Sequence, residues 1–219
     1  MNGHRHTISH ELKEHVPFTV FGTLTGIVIM LIFTRLHLPH SVSAKLFWTL
    51  HPLHVLLSAI ATAGMYRLYC KGSLVATVAI GYVGSIGIGT LSDSLIPYLG
   101  EVLLDLPHRH AHVGFIEMWW LVNPLALLGV GIAWFWPHTK IPHAGHVLLS
   151  TWASLFHMTM AVGETLGVVT VLLIALFLFL AVWQPCCTSD IVFPLLFTGK
   201  VEPCGGHMAD DKSGEAVEP

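Results

Sequence analysis

Apolar positions in this chain gather into long runs separated by short polar or proline-bearing breaks. The runs approach the roughly 17–25 residues that a helix needs to cross a hydrocarbon core. Six helical spans are predicted: Pro17–Thr34, Lys45–Tyr69, Ser73–Leu95, His112–Trp136, Pro142–Met160 and Thr165–Trp183. Pro97 is expected to stop the third, Pro137 to stop the fourth, and Pro142 to open the fifth as a first-turn proline. The sixth, containing VVTVLLIALFLFLAVW, is the most apolar; the fifth is interrupted by His146, Ser150, Ser154 and His157. The fold class is therefore all-α, a polytopic integral membrane bundle. It divides into a His-rich tail (1–16), a six-helix transmembrane domain (17–183) and a flexible acidic tail (184–219), in which Asp190–Phe197 is apolar enough to lie at an interface. No removable signal peptide is expected.

Composition strengthens this reading. Of 219 residues, 53% are apolar and only 11% charged, less than half the charged share of an ordinary soluble domain. Disorder is excluded, and the balance of 10 Lys+Arg against 13 Asp+Glu offers no field to hold nucleic acid. The lipid bilayer is the expected partner, with a homo-oligomer or a membrane complex as possible assemblies. Six spans place both termini on one side, which carries Arg5, Lys13, Arg67, Lys71, Lys140, Lys200 and Lys212 against Arg35, Lys45 and Arg109 opposite. The positive-inside rule puts the termini in the cytoplasm. Cys70, Cys186, Cys187 and Cys204 fall on that reducing side without CxxC spacing, and are expected to be inert thiols.

Within the third span, Thr77, Gly81, Ser85 and Gly89 recur every four residues. Small residues on one helix face permit close helix approach in lipid, so this stripe reads as architecture.

Histidine is the composition's exception, at 16 residues. An ionisable side chain at membrane depth costs about 2.5–3.5 kcal/mol on insertion scales and calls for a reason. A rise of about 1.5 Å per residue puts His51 and His54 roughly 9–14 Å below the non-cytoplasmic surface. Asp93, Glu117, His157 and Glu164 fall in the same layer, so five of six spans contribute to it. His51 and His54, three apart, share a face with Ser58 and Thr62. His143, His146, Ser150, Ser154 and His157 share a face of the fifth span and form a polar stripe that should line protein interior or a water-filled path.

The connection Ser92–Ala111 holds Asp93, Glu101, Asp105, His108 and His110, with His112 following; it is expected to re-enter or cap the surface. In HRHAH the three histidines would share a face of a strand, whereas on a helix His108 and His112 could chelate together. His4, His6, His10 and His15 form an amino-terminal tract that could hold a metal loosely. His37, His40, His138 and His207 read as surface residues.

Imidazole with carboxylate suits a divalent transition metal: zinc first, with iron, copper, nickel or manganese as alternatives. The candidate ligands are His51, His54, Asp93, His112, Glu117, His157 and Glu164, and the candidate pathway is His143, His146, Ser150 and Ser154. Three functions fit. A transition-metal transporter ranks first, because the stripe continues beyond the cluster as a path of exchangeable ligands needs. A membrane-embedded zinc-type hydrolase would use Glu117 or Asp93 as general base. A haem-b electron carrier would pair His54 with His157 between Trp119, Trp120, Trp152 and Phe156. A structural subunit whose histidines merely bond backbone carbonyls is the plainest alternative.

Overall fold

The structure, a computed structural model, describes residues 2–69, 73–137, 140–163, 167–187 and 192–197, with side chains from residue 16 in the first helix and from residue 145 in the seventh. Among these residues every regular element is helical. The chain runs α1 (Asn2–Arg35), α2 (His40–Tyr69), α3 (Leu74–Thr90), a wide π turn (Leu91–Leu95), α4 (Ile96–Leu103), α5 (Gly114–Glu117), α6 (Trp119–Phe135), α7 (Lys140–Ala161), α8 (Val168–Cys187) and α9 (Phe193–Leu196). Four stretches are long and apolar enough to cross a membrane: Val16–Arg35, His40–Leu68, Leu74–Leu103 and Val168–Cys186. The 17-residue α6 is shorter, and α7 carries the polar stripe along its length.

Local chemistry sets the element ends. The α1–α2 turn is made by His37, in the left-handed region at φ 49°, with Leu38 and Pro39. The Ser73 hydroxyl caps α3 by accepting the Ala76 N–H at 3.2 Å, which satisfies one of the four orphan donors of a helix start. Asp105, at φ 52°, ends α4 while the Leu106 N–H returns to the Glu101 carbonyl.

Two expectations are corrected here. Pro97 does not stop the third span, which continues to Leu103 as one 30-residue apolar stretch. The π turn ends just before Pro97, so the proline falls in the first turn of α4, where its missing N–H is an orphan anyway. The stretch Ser92–Leu103 is therefore helix, not connection, and HRHAH lies in irregular chain rather than on a strand or helix. The fourth span is likewise not one helix from His112: it starts at Gly114 and breaks at Met118, whose φ −120°, ψ 46° is not helical.

The central helix is α2, which packs against α7, α6 and α3, while α7 also meets α1 and α8. One apolar core, with Met30, Phe47, Leu155, Phe156, Met158, Ile174 and Leu178, joins α1, α2, α7 and α8. A second, with Ala59, Ile60, Ala63, Val130 and Ala133, joins α2 to α6. The distribution is inverted relative to a water-soluble bundle. His51, His54, Ser58, Thr62, Asp93, Glu101, His146, Ser150, Ser154 and His157 are buried, whereas Phe21, Leu24, Val28, Val75, Val83, Leu128, Phe135, Val169 and Leu172 are exposed. An exposed apolar surface of this extent needs an apolar surrounding.

The α2–α6 crossing depends on Gly129. A Cβ there would stand 2.5 Å from the Leu56 carbonyl oxygen and 2.8 Å from the Ala59 Cβ, and backbone cannot yield as a flexible side chain can. Gly129→Val is expected to cost about 1–3 kcal/mol by overpacking, read as a lower thermal midpoint of the protein in detergent. An unchanged midpoint would mean that the two helices are not in contact there.

Candidate metal centre

The π turn places Ser92, Asp93 and Ser94 in the interior together, each 0% exposed. Asp93 is the focus. Its Oδ2 accepts from Nδ1 of His51 at 2.9 Å and Nδ1 of His54 at 2.6 Å. Its Oδ1 accepts from the Ser92 hydroxyl at 2.9 Å and the Ser150 hydroxyl at 2.8 Å. Two donors on each oxygen use the full lone-pair capacity of a carboxylate, which is how this group is accommodated away from water.

The same pairing recurs towards the surface. His157 places Nδ1 2.7 Å from Glu101 Oε1, both side chains buried. Glu101 Oε2 also accepts the His110 N–H at 3.3 Å, and His157 Nε2 accepts the His112 N–H at 3.4 Å. His112 places Nδ1 3.1 Å from Glu117 Oε2, whose other oxygen accepts the Val113 N–H at 2.7 Å. This last pair is partly open to solvent, at 21% and 38% exposure. The Ser94 hydroxyl donates to the His112 carbonyl and so pins the loop over the centre. Phe47 packs among the rings, stacked on His51 at 5.4 Å and edge-on to His157 at 5.3 Å.

Four histidines thus hold a carboxylate at Nδ1. That bond fixes the proton on Nδ1 and leaves Nε2 as the ligating or accepting nitrogen, the arrangement by which outer carboxylates orient metal-binding histidines. His157 already accepts at Nε2, in agreement with that tautomer. His51 Nε2 is buried and makes no hydrogen bond; it faces Gly114, where a Cβ would stand only 2.2 Å away.

Two groups are geometrically able to hold a metal ion, each with ligand atoms within 4.8 Å of one another: His51, His54 and Asp93, and His54, His146 and Cys186. In the first, the nitrogen–oxygen separations of 2.6 and 2.9 Å are hydrogen-bond distances. Ligands of a tetrahedral ion bonded at 2.0–2.1 Å stand about 3.3 Å apart. Asp93 therefore acts here as the acceptor that orients both imidazoles.

The structure brings together His51, His54, Asp93, His146, Ser150, Ser154 and His157. Ser154 donates to the Ser92 carbonyl at 2.8 Å, and His146 stacks on His54 with centroids 5.7 Å apart. His112 and Glu117 form the outer pair. Glu164 and the side chain of His143 lie outside the described residues. Two participants are additions. Glu101 continues the four-residue repeat of Thr77, Gly81, Ser85 and Gly89 through Asp93 and Pro97, all of them buried, so extending the stripe past the proline would have found it. Cys186, expected to be inert, lies beside two histidines, and no sequence spacing marks it.

In comparisons with known proteins the chain matches no family model, no curated protein and no solved structure, so the function is read from this geometry.

Gly114→Ala is expected to push His51 off Asp93 and to destabilise by about 1–3 kcal/mol. In a His51→Ala background the same change should cost little. Thermal unfolding of the two single variants and the double variant measures the coupling; additive effects would mean that His51 does not lie against residue 114.

Proposed function

We propose that this protein is an integral membrane carrier of divalent transition-metal ions, zinc first among them, built on six transmembrane helices with both termini in the cytoplasm. The observation that supports it is the succession of histidine–carboxylate pairs. It runs from the partly exposed His112–Glu117 pair, through the buried His157–Glu101 pair, to His51 and His54 on Asp93, with His146 beyond. A carrier needs neutral ligands that bind strongly enough to strip water from an ion and weakly enough to pass it on. Imidazole Nε2 atoms backed by carboxylates meet that need. The carboxylates offset the charge of the cargo, which removes the main penalty for a cation in an apolar bundle. Adding α6 and α7, which close the bundle around the same residues, to the four longer apolar helices makes six crossings.

A metal-dependent hydrolase fits less well. Asp93, one candidate base, is fully buried with every lone pair engaged, so none is directed at a water. Glu117 is accessible but bonds His112 and the Val113 N–H.

Detergent-purified protein is expected to hold near-stoichiometric zinc by elemental analysis, to show no Soret band, and to take up zinc when reconstituted into vesicles. Glu101→Gln, which weakens the support behind His157, should lower zinc affinity or uptake by about 10–100-fold. A Soret band would overturn the proposal in favour of haem; so would protein that neither binds nor transports metal.

A further inference from the structure

Resting on the carrier reading, we infer that His54, His146 and Cys186 form its innermost ion-binding station, a nitrogen–nitrogen–sulfur triad that takes borderline-soft divalent ions such as zinc or cobalt. Each ligand comes from a different helix: His54 from α2, His146 from α7 and Cys186 from α8. All three are buried to within 1% exposure, and their ligand atoms lie within 4.8 Å of one another. A tetrahedral ion with nitrogen bonds of 2.0–2.1 Å and a sulfur bond of 2.3 Å draws its ligands to about 3.3–3.5 Å apart, a closure that side-chain rotation supplies.

The orientation of the ligands is set by one residue. Asp93 Oδ2 holds His54 Nδ1 at 2.6 Å, which turns Nε2 to the triad. Asp93 Oδ1 holds the Ser150 hydroxyl at 2.8 Å, and the Cys186 thiol donates to Ser150 Oγ at 3.6 Å. A single carboxylate thereby positions a nitrogen ligand directly and the sulfur ligand through one hydroxyl. Asp93 is a positioning residue for the triad and not a member of it.

Chemistry follows from the donor set. Binding requires the thiolate, so the Cys186 S–H bond breaks as the metal–sulfur bond forms, and one proton is released per ion bound. A thiolate paired with two imidazoles favours zinc and its neighbours over hard, oxygen-preferring ions such as magnesium. Three protein ligands leave a fourth position, through which an ion can be handed on or received; a closed four-ligand cage would hold it.

Cobalt(II) alone, added to the full-length protein in detergent, tests the site by spectrum. The expected result is a tetrahedral visible spectrum with a near-ultraviolet sulfur-to-cobalt charge-transfer band, and loss of that band in Cys186→Ser. If Cys186→Ser does not fold, the Cys70→Ser/Cys187→Ser/Cys204→Ser variant keeps Cys186 as its single thiol: retention of the band supports the triad and its loss overturns it. Cobalt bound with visible bands but no charge-transfer band in the unmodified protein overturns the triad while leaving a histidine-based carrier standing. Protein that binds no cobalt and transports no zinc loses both readings together.

Discussion

One carboxylate, that of Asp93, organises the bundle. An aspartate in the middle of a long apolar stretch cannot be left to itself, because its desolvation outweighs what any single helix contact returns. The fold meets this with four donors from three segments: His51 and His54 of α2, Ser150 of α7, and Ser92 beside it in the π turn. Those donors fix how α2, α7 and the third apolar stretch face one another. The stacking of His146 on His54 and the contact of Cys186 with Ser150 add α8 to the same arrangement. Removing the carboxylate would leave two imidazole N–H groups and two hydroxyls without their acceptor, each a penalty of about 1–3 kcal/mol.

The pairs nearer the surface repeat this chemistry with diminishing burial. Asp93 and its histidines are enclosed, Glu101 and His157 are enclosed but touch the loop through His110 and His112, and Glu117 with His112 meets solvent. Each carboxylate spends one oxygen on an imidazole Nδ1 and the other on a hydroxyl or a backbone N–H. That division keeps every acidic group satisfied without occupying Nε2. The polar groups thus form a graded column, while the apolar residues that would ordinarily fill a core point outward.

Much of this is legible in the sequence, and the parts that are not share a cause. The spacing of His51, His54, Ser58 and Thr62, and of His146, Ser150, Ser154 and His157, reports helix faces directly, because residues three and four apart lie together on any helix. Both faces are buried. Pro97 misleads because a proline is read as a helix stop, and nothing in SDSLIP announces a wide turn that absorbs it. Glu101 is hidden behind the same proline. Cys186 meets His54 and His146 only through the packing of α8 against α7, a long-range contact with no local signature. The break at Met118 is equally silent, since FIEMWW carries neither glycine nor proline.

The π turn at Leu91–Leu95 has a geometric consequence for everything after it. Buried positions follow every fourth residue from Thr77 to Glu101. On a regular helix each such step advances by about 40°, so the series would spiral well around the axis before reaching Glu101. A turn closed by i→i+5 bonds winds each residue through a smaller angle and takes back part of that drift. The turn is in effect a phase correction inserted into the helix. It holds the small-residue half and the acidic half in a common azimuth, so that whether Glu101 looks at His157 or away from the bundle is decided two turns earlier.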